Sequence, residues 1–154
     1  MSSFVPNSHS DPATTETVSN DGFFPDLSLE DFKKRMAVGE DTAVDRLIDL
    51  LTQAMIEINH SLTAWRIGLV DYVTLADVPT TMYGQVSEKT YLYQSAVYNR
   101  AKSLLIETRK GYDSTKSGRD KSDQIELPTD DYYRASTDAM SRLTDQPRST
   151  IELI

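Results

Sequence analysis

Residues able to do chemistry are few in this chain. It has two histidines and no cysteine, which removes thiolate zinc sites, thiol nucleophiles and disulfides from the start. His9 lies in a polar arm. His60 falls beside, but off, an apolar helical stripe, the place of a solvent-facing residue. A Ser-His-acid set would need one of the two, and neither has a supporting motif. No P-loop, metalloprotease helix or dinucleotide glycine fingerprint is present. Asp113 and Gly118 have the spacing of the first and sixth positions of a calcium loop. Thr115 and Ser117 are weak substitutes at the third and fifth positions, and Gln124 stands where a bidentate Glu is required. The carboxylates are scattered, with no recognisable acid and base couple. These residues point away from an enzyme and from any metal or other cofactor.

What remains is charge and shape. The formal charge is −8 over 154 residues. A general nucleic-acid surface needs clustered Lys and Arg, so the chain is not expected to bind DNA specifically. The densest basic stretch is Lys110, Lys116, Arg119 and Lys121, with Asp113, Asp120 and Asp123 interleaved. It reads as a solvated loop, or as a loop facing a ring lumen or a neighbouring subunit. No apolar run approaches a membrane span, and no secretory signal is expected.

The elements that would carry these features are helical. Residues 1–22 read as a disordered arm of Ser, Thr, Asn, Asp and Pro. Phe23-Phe24-Pro25-Asp26-Leu27 ends it, and the two Phe read either as an anchor into a partner's groove or as this domain's own core. Ser28 should cap a helix that stops at Gly39. Val44, Ile48, Leu51, Met55, Ile58, Leu62, Trp65 and Leu69 recur at steps of four and three. They predict one helix of roughly 26 residues, about 40 Å long, capped by Asp41 or Thr42. Trp65 is expected inside the core, where truncation to Ala costs about 3–5 kcal/mol. Leu75–Pro79 is expected extended.

Ser87 should open a helix ending at Gly111, with Leu92, Ala96, Val97, Ala101, Leu104 and Leu105 inward. Thr129 should cap the last helix, which Pro147 ends. Tyr72, Tyr83, Tyr91, Tyr98, Tyr112, Tyr132 and Tyr133 read either as interface residues or as core residues with a wet hydroxyl, and those off the apolar stripes lean towards interfaces. The fold class is all-α, a bundle of about four helices over residues 23–146. The polar arm precedes it and an extended tail, 147–154, follows. In that tail Ile151 and Leu153 lie on one side and could add to a partner's sheet edge.

Several segments in order resemble the head-completion (GPL) family of temperate phages with contractile tails. They are Phe23–Leu27 with Arg35-Met36, then Ala54–Asn59 with Leu62. Leu75-Ala76-Asp77-Val78-Pro79, Ala96-Val97, Ala101 and Glu107 come next, followed by Gly111-x-Asp113-x-Thr115-x-x-Gly118 and Pro147-Arg148. The likeness runs from about Phe23 to Ile154, and departs around Thr108–Lys110 and Tyr83–Gln85. It implies a non-enzymatic head–tail connector, or adaptor, of the virion neck, assembled in the host bacterial cytoplasm. Such a subunit joins a ring, usually of twelve copies, beneath the portal protein after DNA packaging. It helps retain the genome and carries the next neck or tail-completion protein. Twelve copies would total a formal charge of about −96, a lumen past which DNA slides without sticking. Phe23, Phe24, Pro147, Arg148, Ile151, Leu153 and Ile154 would then be portal or subunit contacts. Another neck component, such as a stopper or tail terminator, or a non-phage helical binding protein, are the alternatives.

Overall fold

In a computed structural model the protein is described over residues 16–113 and 128–146. Most of the described chain is helical, in five helices with two small antiparallel strand pairs. The expectation of a purely all-α fold is corrected to that extent. In order, the elements are β1 (Thr17–Val18), β2 (Leu27–Ser28), α1 (Leu29–Arg35), α2 (Val44–Ser61) and α3 (Thr63–Ile67). A 3-10 turn (Leu75–Asp77), β3 (Met82–Tyr83), β4 (Val86–Ser87), α4 (Glu88–Asp113) and α5 (Thr129–Leu143) follow.

Helix α4 is the axis of the molecule. α2 runs antiparallel to it: Asn59 bonds Tyr93, Glu57 bonds Arg100 and Thr42 bonds Arg109. α5 is antiparallel on another side, where Lys89 meets Leu143, Ser136 donates to the Ala96 carbonyl, and Lys110 meets Thr129. The face predicted for α4 is the buried one, through Ala96, Val97, Ala101, Leu104 and Leu105. Leu47, Leu50, Leu51, Ala54, Met55 and Ile58 answer it from α2. Each large side chain so enclosed contributes on the order of 1.5–3 kcal/mol of transfer free energy before ordering entropy is counted.

Several boundaries differ from the sequence expectation, each for a local reason. β1 pairs Thr17 with Ser28 and Val18 with Leu27, and Val18 is buried. Residues 16–22, assigned to the arm, are therefore part of the fold; residues 1–15 lie outside the described residues. α1 is capped by Ser28, whose hydroxyl accepts from the Asp31 amide at 3.2 Å. It ends before Gly39, because Ala37 takes the left-handed turn (φ 48°) and the Val38 amide reaches back to the Lys33 carbonyl at 3.0 Å. The buried Val38 side chain holds this Schellman reversal in place of a glycine.

The long helix is two helices. Ser61 and Thr63 hydroxyls donate to the carbonyls of Glu57 and Asn59, four residues back. Such bonds compete with the helical ladder and bend it; the break falls at Leu62, between them. Val44, the first residue of the stripe, is exposed, and Trp65 is only half-buried at the edge of the core. The cap of α2 is Ala43, and Thr42 instead accepts from Arg109 at 2.8 Å. Leu75–Asp77 forms a 3-10 turn closed by a Thr74–Asp77 capping box, and only Val78 is extended before Pro79. Gly111 does not stop α4, which continues to Asp113. Pro128 precedes α5 as its cap, and Thr129 is its first residue.

Candidate interaction surfaces

The two ends of the bundle hold the residues of interest. At one end lie the start of α4, the end of α2, α3, the β3–β4 hairpin and the end of α5. At the other lie the end of α4, the start of α2 and the start of α5. Along α4, Lys89 and Asp113 are separated by about 36 Å at 1.5 Å per residue.

The first end has a polar interior. Asn20 donates to the Tyr93 hydroxyl (2.8 Å), which donates to Asn59 (2.6 Å), which donates back to Asn20 (2.9 Å). The ring satisfies three side chains at once, as burial demands. Burial raises the Tyr93 hydroxyl well above the ordinary phenol range, and it does the same for Tyr98. Asp21 accepts from the amides of Phe23 and Phe24 and binds Arg66 at 2.6 Å. Phe24 stacks on Tyr93 at 4.4 Å, and Arg66 lies 4.7 Å over Phe23.

Phe23 and Phe24 are thus 5% and 2% exposed. They belong to the chain's own core, the second of their two readings, and are not free as an anchor: a strand pair, a turn and an aromatic stack enclose them. Tyr98 likewise takes the core one of its two readings, buried against Phe32. Tyr83, Tyr91, Tyr112 and Tyr133 are exposed.

The same end has an apolar exterior. Ile67, Val70 and Val73 are 69%, 82% and 82% exposed, and Met82, Tyr83 and Val86 of the hairpin are also open. Ile67, Leu69, Val70, Tyr72 and Val73 wall a groove of about 380 Å³ with Phe23 at its base. α5 ends here in a second Schellman reversal. Asp145 is left-handed (φ 54°), and the Gln146 amide donates to the Ser141 carbonyl at 3.1 Å. The buried Lys89 ammonium fixes it, donating to the Leu143 carbonyl (2.9 Å) and Asp145 (3.1 Å) beneath the Trp65 ring. Lys89 escaped the sequence reading. Its only signal is position: it stands four residues before Tyr93, on the inward face of α4.

The other end reverses this. Leu105 and Ile106 are buried within, while Arg46, Arg109 and Asp41 stand around an open cleft of about 590 Å³. These charges are paired: Arg109 with Asp41 (3.4 Å) and Arg46 with Asp49 (3.3 Å). Lys110, expected on the basic loop, belongs to the last turn of α4 and donates to Thr129 at 3.0 Å, tying α5 to α4. Lys116, Arg119 and Lys121 lie outside the described residues, as do Pro147, Arg148, Ile151, Leu153 and Ile154 and most of the calcium-like loop. His60 is exposed on α2. Among the described residues no three metal-binding side chains gather, and no helix is long and apolar enough to cross a membrane.

Residues 18–154 match the model of the phage head completion protein (GPL) family. A relative, the head completion/stabilization protein of Escherichia phage P2, is 31% identical over 146 residues, 93% of this chain and 86% of the relative. No solved structure matches. The match across all but the first residues agrees with the order of segments along α1 to α5, and on it the chain belongs to the phage head completion protein family.

Proposed function

We propose that the chain is an adaptor subunit of the head–tail junction. In this reading it joins a ring, usually of twelve copies, binds the portal after packaging, helps hold the genome and offers a platform to the next neck or tail component. The observation that carries the reading is the division between the two ends. A subunit between head and tail needs two separate surfaces, and this bundle has an open aliphatic end and an ionic end about 36 Å away along α4. Segment 147–154 departs from the aliphatic end, beside Gln146. Its Ile151, Leu153 and Ile154, with Pro147 and Arg148, are the proposed portal or neighbour contacts. Asp113, after which Lys116, Arg119 and Lys121 follow in sequence, lies at the ionic end, and in this reading those cations serve the lumen or a neighbour. The net charge of −8 per subunit suits a channel that DNA traverses without being bound.

Removing the residues after Gln146 tests the reading. Portal capture in a pull-down should be abolished while helical circular dichroism persists. Undiminished capture would contradict it.

A further inference from the structure

We propose that in the free subunit the segment Ser149–Ile154 seats its apolar side chains in the groove beside α3 of the same chain. The groove is an unusual surface. Ile67, Val70 and Val73 present three aliphatic side chains within seven residues, and each is more than two-thirds in water. Clustered exposure of that kind marks a surface made to be covered.

The geometry of α5 singles out the occupant. Gln146 shares a cleft with Ser61 and Leu62, and Thr63, the next residue, lines the groove. The Schellman reversal at Asp145 and the Lys89 bonds to Leu143 and Asp145 fix where the chain leaves α5. From Gln146 to Ile151 an extended chain reaches about 17 Å. From Leu62 to Val70 the path runs through α3 and the turns after it and covers about 12–16 Å at α-helical to 3-10 rise, so the groove is within reach of the same chain. In an extended segment Ile151 and Leu153 share one face and Glu152 takes the other. The first pair suits the aliphatic wall, and Glu152 on the opposite face can stay in water. The tether gives the segment an effective concentration in the millimolar range, which a second copy in dilute solution cannot match.

Both apolar surfaces would then be out of water until a partner claims the segment. That sheathing role rests on the adaptor reading; the contact itself does not.

The chain has no cysteine, so introduced pairs report cleanly. Full-length protein carrying Val70→Cys with Leu153→Cys is oxidised mildly, with Val44→Cys and Leu153→Cys, at the opposite end, as the control. The cross-link should form within one chain, about tenfold or more faster than the control, as tethered proximity predicts. A second pair, Ile67→Cys with Ile151→Cys, guards against an offset in register, and either pair closing within one chain supports the contact. Closure only between copies, or both pairs no faster than the control, would overturn it. The oxidised protein should also lose portal capture and regain it on reduction; equal capture in both forms would overturn the sheathing role. Portal capture absent from both forms would count against the adaptor reading and the sheathing role, while the cross-link would still decide the contact.

Discussion

Where α4 begins, the protein hides polar groups and shows aliphatic ones; where α4 finishes, it hides aliphatic groups and shows ion pairs. At the first end the Asn20–Tyr93–Asn59 ring and the Lys89 ammonium are enclosed while Ile67, Val70 and Val73 face water. At the second, Leu105 and Ile106 are enclosed while Arg109 and Asp41 meet at the surface. An enclosed polar network fixes geometry, because each member is costly to leave unsatisfied. An exposed ion pair adds little to stability and is screened by salt. The aliphatic end is thus held from within by a satisfied polar network, and it has unused apolar surface. That combination suits a docking platform, since a partner need not order the site it binds.

Breaking the first end should cost most. Phe24→Ala removes a ring stacked on Tyr93, and unfolding free energy should fall by about 3–5 kcal/mol in denaturant titrations. Trp65→Ala, at the half-buried rim, should fall short of that range in the same titrations; an equal loss would return Trp65 to the interior.

Alkali attacks the same end through Tyr93, and the α1 contact through Tyr98. Both hydroxyls are held neutral by burial, so their folded pKa values lie above the unfolded value of about 10. Their contribution is complete below that value and is lost as pH rises through the folded pKa. Absorbance titration of the eight tyrosines should show a late, cooperative step coincident with loss of helicity; a single step near pH 10 without unfolding would refute the burial account.

A smaller effect is expected at Lys89. Lys89→Met leaves the Leu143 carbonyl and Asp145 without their donor and should cost about 1–3 kcal/mol. Hydrogen exchange should quicken at Thr144–Gln146 before it quickens elsewhere, and uniform quickening would mean that Lys89 does not act locally. The least change is expected at the ionic end. Arg109→Ala should shift stability by no more than about 1 kcal/mol, and a larger loss would erase the contrast between the ends.

Much of this was legible because helices repeat their apolar residues at fixed steps. The buried faces of α2 and α4 follow directly from Leu51, Met55 and Ile58, and from Val97, Ala101 and Leu104. What escaped depends on single bonds between distant segments or on backbone angles. The break at Leu62 needs the Ser61 and Thr63 back-bonds. The end of α1 at Ala37 is set by a buried Val38, where propensity points to Gly39. β1 is two residues long and exists through pairing with Leu27-Ser28. The candidate surface was legible only in part. The apolar segment after Gln146 is visible in the composition, but Ile67 lies off the apolar stripe and Val70 and Val73 follow α3, so no spacing marks the three as one exposed patch.

On the adaptor reading, the aliphatic end is the working face of the subunit in the virion. A reconstruction of the head–tail vertex tests it most directly. It should place Ile67, Val70, Val73 and the residues after Gln146 against the portal or an adjacent subunit. Finding that end in open solvent, with every subunit contact made around Arg109 and Asp41, would rule this assignment out.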